Sequence, residues 1–124
     1  MDASFWDGKR APGVANNLDF EQFSSAIEVI EQAMQKYPER KAFTGFGHSL
    51  SFREIDQYSA AFTHYLQNHT DLKPGDKIAI QMPNTLQYPI AMYGAMRAGL
   101  VVVNTNPLYT EREMIHQFND SGAT

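Results

Sequence analysis

From Lys77 onward the chain alternates short apolar runs with helical patterns, and this alternation constrains the fold more than any other feature. Lys77-Ile78-Ala79-Ile80-Gln81-Met82 reads as a strand. A helix follows over about 85–98, capped by Asn84 or Thr85. Pro89 lies near its start, Tyr88, Met92, Ala95 and Met96 face inward, and Gly99 closes it. Leu100-Val101-Val102-Val103 is apolar on both faces, as a buried parallel strand is. After a loop at Asn104-Thr105-Asn106-Pro107, Thr110 and Glu113 stand at capping-box spacing, and Met114, Ile115 and Phe118 form the stripe of a last helix ending at Ser121-Gly122. Strand, helix, strand, helix opens a parallel α/β unit. The pattern then stops with strand surface unpaired, so the expectation is a βαβα unit that is incomplete.

Upstream signals are local and sharp. Ser25 precedes Glu28 by three residues, and Ile27, Ile30, Met34 and Tyr37 recur at helical intervals, which predicts a helix near 25–36 stopped by Pro38. Lys41-Ala42-Phe43-Thr44 and Ser49-Leu50-Ser51-Phe52 flank Gly45-Phe46-Gly47-His48 and predict a β-hairpin. Gly45 and Gly47 lack the third glycine and following helix start of a phosphate loop, so they read as a turn. Ser51 and Glu54 form a second capping box, and Ile55, Tyr58, Phe62, Tyr65 and Leu66 continue an apolar face to about residue 68. Lys73-Pro74-Gly75-Asp76 reads as a type II turn. Residues 1–24 carry no periodicity among isolated aromatics (Phe5, Trp6, Phe20, Phe23) and read as an extended N-terminal arm whose aromatics dock elsewhere, the alternative being a frayed terminus.

Several function classes fall away on composition. With no cysteine there is no disulfide scaffold, thiolate metal site or thiol nucleophile. Ten basic against 14 acidic residues, net −4, do not make a nucleic-acid footprint. No apolar run approaches the ~20 residues of a membrane span, and the first ten residues lack a signal-peptide core, so the expected location is cytoplasmic.

No catalytic constellation is visible. His48, His64, His69 and His116 lack metal-ligand spacing, so no metal site is expected. Ser24, Ser49, Ser51 and Ser59 lack a nucleophile elbow, and there is no Walker-type phosphate loop. Glu111 and Glu113, around Arg112, suit a helix dipole. The position with topological meaning is the loop 104–109, which leaves the carboxyl end of a parallel strand where open α/β sheets bind ligands. The next helix turns its N-terminus towards it. The alternative is a polar loop whose asparagines satisfy local backbone.

Three segments carry a resemblance: Leu72-Lys73-Pro74-Gly75-Asp76-Lys77-Ile78-Ala79-Ile80-Gln81-Met82-Pro83-Asn84, Gln87 to Gly99, and above all Val102-Val103-Asn104-Thr105-Asn106-Pro107-Leu108-Tyr109-Thr110-Glu111. Together with Phe5-Trp6 and Pro38-Glu39-Arg40-Lys41-Ala42-Phe43 they closely resemble the N-terminal region of bacterial long-chain fatty acid–CoA ligases, members of the adenylate-forming superfamily. The resemblance implies that residues 25–124 are the N-terminal part of an AMP-binding domain, truncated, in a parent that uses ATP, magnesium and CoA to convert a long-chain fatty acid to its acyl-CoA through an acyl-adenylate. The family's Thr-Ser-Gly-Thr-Thr-Gly-x-Pro-Lys-Gly loop, its Tyr-Gly-x-Thr-Glu segment and its C-terminal lysine do not occur here, so no catalytic residue carries over and the chain alone is expected to be inactive. The loop near the CoA path carries over as candidates Thr105, Asn106, Pro107 and Tyr109; Pro107 has no N–H to offer a phosphate. Neither ATP nor CoA is expected to bind this chain well by itself. Unpaired strand surface implies self-association, and the family reading is compatible with a homodimeric parent peripheral to the inner membrane. The other readings are a different adenylate-forming ligase (medium-chain, aryl or amino acid) and a free-standing interaction module.

Overall fold

A computed structural model of the chain describes Phe5, Lys9, residues 11–14 and residues 22–123. Most of the expected N-terminal arm, Trp6 and Phe20 included, lies outside these residues. Phe5 is described, with the Lys9 ammonium 3.6 Å from its ring centroid.

The elements run α1 (Ala26–Lys36), β1 (Lys41–Gly45), β2 (His48–Ser51), α2 (Phe52–His69), β3 (Lys77–Ile80), α3 (Gln87–Arg97), β4 (Val101–Asn104) and α4 (Glu111–Ser121). β1 and β2 form an antiparallel hairpin with an irregularity between Lys41 and Phe43. β3 and β4 pair in parallel, Lys77 opposite Val101 and Ile80 opposite Asn104, on either side of α3. This is the mixed α/β architecture and the βαβα order expected from the sequence.

The local signals act as their chemistry requires. At α2 the box is complete: Glu54 N–H donates to Ser51 Oγ (3.2 Å), while the Glu54 carboxylate accepts from Ser51 N–H (2.8 Å). At α1 only half forms. Glu28 N–H donates to Ser25 Oγ, but the Glu28 carboxylate takes the N–H and hydroxyl of Ser24 instead. Gly99, at φ 79°, ends α3, with Leu100 N–H donating to Ala95 C=O and Gly99 N–H to Met96 C=O.

Two expectations about α3 are corrected. Its N-cap is Leu86, in helical conformation and without a side-chain cap, rather than Asn84 or Thr85. The buried positions include Pro89, Ala91, Tyr93 and Gly94 beside the expected Ala95; Met92 and Met96 are half-buried and pack on an apolar cluster as expected, whereas half-buried Tyr88 turns its hydroxyl to Asn104. The reason is that α3 has no single inner face. It stands between two apolar clusters, one of Leu66, Ala95, Ala98 and Leu100, the other of Met34, Ile55 and Tyr93. β4 is corrected too: Val102 packs on the first cluster, but Val101, which alternates to the opposite face of the strand, is 48% exposed. Likewise Ile115 is exposed and α4 buries no side chain fully.

Candidate functional site

The loop 104–109 leaves the carboxyl end of β4, beside the end of β3. The two strand ends are tied across the opening: Thr105 N–H donates to Ile80 C=O (3.0 Å), continuing the parallel ladder. Tyr88, in the first turn of α3, donates its hydroxyl to Asn104 Oδ1 at 2.7 Å. Gln117 Nε2 donates to Asn104 C=O at 2.9 Å and holds α4 over the loop.

The four candidate residues meet different fates. Thr105 turns inward and is 4% exposed, and its hydroxyl finds no protein partner. Asn106 folds the loop on itself: its Oδ1 accepts from Leu108 N–H (3.0 Å) and its C=O from Tyr109 N–H (3.1 Å). Pro107 is exposed and Tyr109 half-buried. Tyr109 opens an open groove along α4 with Arg112, Glu113, His116, Gln117 and Asp120. The loop thus presents one orphaned buried hydroxyl, one self-satisfied asparagine and a polar groove of mixed charge.

The N-terminus of α4 already carries its own anion. The Glu113 carboxylate accepts from the Thr110 hydroxyl (2.7 Å) and the Thr110 N–H (2.8 Å). These bonds, the hydroxyl first, hold the Glu113 carboxyl below its ordinary range, against a small opposing push from burial. A carboxyl lowered on folding adds stability above its unfolded pKa of about 4.3, and that contribution is lost as pH falls through the folded value. In a carboxyl NMR titration Glu113 therefore titrates below an unperturbed glutamate, and Thr110→Val moves its midpoint up. An unchanged midpoint would remove the capping account. Glu54 is lowered by the same device, led by Ser51 N–H, and Glu28 by the Ser24 hydroxyl.

The other candidates do not converge. His48, His64, His69 and His116 are all exposed, and among the described residues no three of His, Asp and Glu gather as a metal site. Ser59 is fully buried, its Oγ between Asp56 C=O and Arg97, with no base beside it. Sequence reasoning passed over Gln81, Tyr88 and Gln117, which frame the loop. Gln81 was the legible one, since it directly follows β3, and its Nε2 lies 3.5 Å from Asn106 C=O in the candidate loop. Among the described residues no helix is long and apolar enough to cross a membrane.

Comparison with known proteins gives this geometry a context. The sequence pattern of the family described as AMP-binding enzyme matches residues 30–124. The long-chain-fatty-acid–CoA ligase of Yersinia pestis is 48% identical over 116 residues, covering 93% of this chain and 21% of that protein. That of Escherichia coli O157:H7 is 43% identical over 119 residues, covering 96% of this chain and 21% of that protein. The chain thus spans about a fifth of the length of the curated relatives it matches. Among solved structures, the N-terminal subdomain of Klebsiella oxytoca NpsA in complex with 3-hydroxyanthranilyl-AMSN superposes with a TM-score of 0.78 at 26% identity, covering 82% of this chain and 26% of that one.

Proposed function

The chain belongs to the AMP-binding enzyme family, and from that premise we propose that it is the N-terminal part of a bacterial long-chain fatty acid–CoA ligase. The observation that carries this is identity of 43% and 48%, over 96% and 93% of the chain, to proteins bearing that name. In this reading the fatty acid carboxylate attacks ATP to give an acyl-adenylate and pyrophosphate, and the CoA thiol then displaces AMP. Magnesium would neutralise the phosphates, but the described residues bring together no ligand set that fits it, so no step is assigned to the ion here.

The contribution of this chain is a scaffold. α3 is held between two apolar clusters and fixes β3 and β4 in register, and their carboxyl ends present the loop 104–109. Thr105, Asn106, Pro107 and Tyr109 are the proposed lining of the CoA path, with Asn106 and Pro107 exposed, Tyr109 half-buried and the Thr105 hydroxyl enclosed.

A second reading, a ligase of aromatic acids, has one observation behind it: the structural match to an NpsA complex whose ligand carries an aryl acyl group. Its 26% identity sets it behind the fatty-acid reading. ATP–pyrophosphate exchange tests both. The full-length protein continuous with this chain should exchange with palmitate or oleate and not with hydroxyanthranilate, and the 124 residues alone should show no exchange. Turnover by the 124 residues, or exchange driven only by the aryl acid, would overturn the proposal.

A further inference from the structure

The hairpin between β1 and β2 turns on a residue poorly suited to it. Gly45 and His48 face each other across a two-residue loop, and Phe46 and Gly47 both sit at positive φ, 51° and 79°. Such a turn is the natural place for Asn-Gly or Asp-Gly, and left-handed backbone is unfavourable for a bulky side chain. Among the described residues Phe46 is the only non-glycine in that region. Its ring gains nothing locally in return, being 85% exposed. The tip is therefore both strained and apolar, with neither feature offset within these residues.

We infer that Phe46 is an anchor that inserts into an apolar pocket on the remaining length of the same polypeptide. This rests on the reading that the chain is part of a longer protein, its matched relatives being about five times its length. Magnitude selects the occupant. One phenyl ring buries about 150–250 Å², and the flanking Gly45 and Gly47 add no side chain. A stable interface between separate proteins takes about 1,200 Å² or more, so a second copy or a foreign protein is not held by this tip. Residues 44–49 carry no lysine or arginine, and a single apolar group without a basic patch does not anchor stably to a bilayer. Within one polypeptide the association entropy is already spent, and a contact of one ring suffices. The bare glycine flanks also allow a neighbouring surface to close tightly on the ring.

Hydroxyl-radical footprinting of Phe46 tests the assignment in the full-length protein, with the isolated chain and the denatured full-length protein as references. The ring should oxidise several-fold more slowly in the native full-length protein than in either reference. Phe46→Asn should raise the Tm of the isolated chain by a few degrees through the better turn, yet speed amide exchange in the hairpin of the full-length protein. Oxidation at the same rate in native and denatured full-length protein would overturn the anchor. So would protection that appears in the isolated chain as its concentration rises, or only on adding phosphatidylethanolamine–phosphatidylglycerol vesicles. ATP–pyrophosphate exchange on the same sample keeps the two readings apart. An active ligase with a freely oxidised Phe46 ends the anchor alone, and a protected Phe46 in a protein without exchange ends the ligase reading alone.

Discussion

Gly94→Val should cost the chain about 3–4 kcal/mol, and Gly94→Ala about 1–2 kcal/mol. On helix propensity alone the alanine variant would gain about 1 kcal/mol, because glycine is a poor residue in a helix interior. The close approach of α3 to α2 reverses that sign. A Cβ on Gly94 would stand 2.8 Å from Phe62 Cδ1 and 2.9 Å from the backbone oxygen of Ser59. The phenyl ring can swing aside, but the Ser59 carbonyl belongs to the α2 backbone, so the helices themselves must separate. Separation also stretches the bond from Thr63 Oγ1 to Gly94 C=O, now 2.9 Å, which ties the two helices at the crossing. Urea denaturation reads the effect directly. Phe62→Ala placed beside Gly94→Ala tells which contact matters: if the Ser59 backbone is the block, removing the ring restores little. A Gly94→Ala variant more stable than the parent chain would show that the helices have room to spare.

Gly94 also marks where the sequence stops being informative by itself. Features set within a few residues were legible. The Ser51–Glu54 box, the Gly99 stop and the hairpin turn within Gly45–His48 each depend on backbone groups three to five positions apart, although Gly45 and His48 themselves pair as strand residues and Phe52 opens α2. The βαβα order was legible because strand and helix periods differ. The burial of α3 was not. A helix packed on two sides has no single stripe, so periodicity does not single out the buried Tyr93 or separate it from the half-buried Tyr88. The exposure of Val101 and Ile115 was illegible for another reason, since apolar residues announce that they need a partner and not whether one lies within these residues. In the candidate loop the sequence marked the place, but not that Asn106 would spend its side chain on Leu108 N–H while Thr105 turned inward without a partner. Those outcomes depend on how α4 crosses the strand ends.

Arg97→Ala should cost about 3 kcal/mol, and here too the reason is tertiary. Arg97 is the cation in the last turn of α3, where interaction with the helix dipole alone is worth a fraction of a kcal/mol. In the fold its guanidinium joins three helices. Nε donates to Glu31 Oε1 on α1 (3.1 Å), and Nη1 to Asp56 C=O (3.0 Å) and Ser59 Oγ (2.9 Å) on α2. Nη2 donates to Asp56 Oδ1 (2.6 Å) and lies 3.2 Å from Met34 Sδ. All five N–H groups are thereby used, and only 12% of the side chain is exposed. Glu31 and Asp56 are about half exposed, so on loss of the arginine they return to water instead of remaining as buried unpaired charges. That keeps the loss at the lower end of the roughly 3–5 kcal/mol of a fully buried pair broken on one side. What cannot be recovered is the bond to the fully buried Ser59 hydroxyl and the packing of the guanidinium on Met34. Arg97→Lys should therefore rescue little, since an ammonium cannot span α1 and α2 at once. Glu31→Gln alone should cost under about 1 kcal/mol, as exposed pairs do. Denaturant melts of the three variants, with amide exchange on α1, check this. If Arg97→Lys matches the parent chain, charge alone holds the junction, and α1 is not fixed by the fork geometry of the guanidinium.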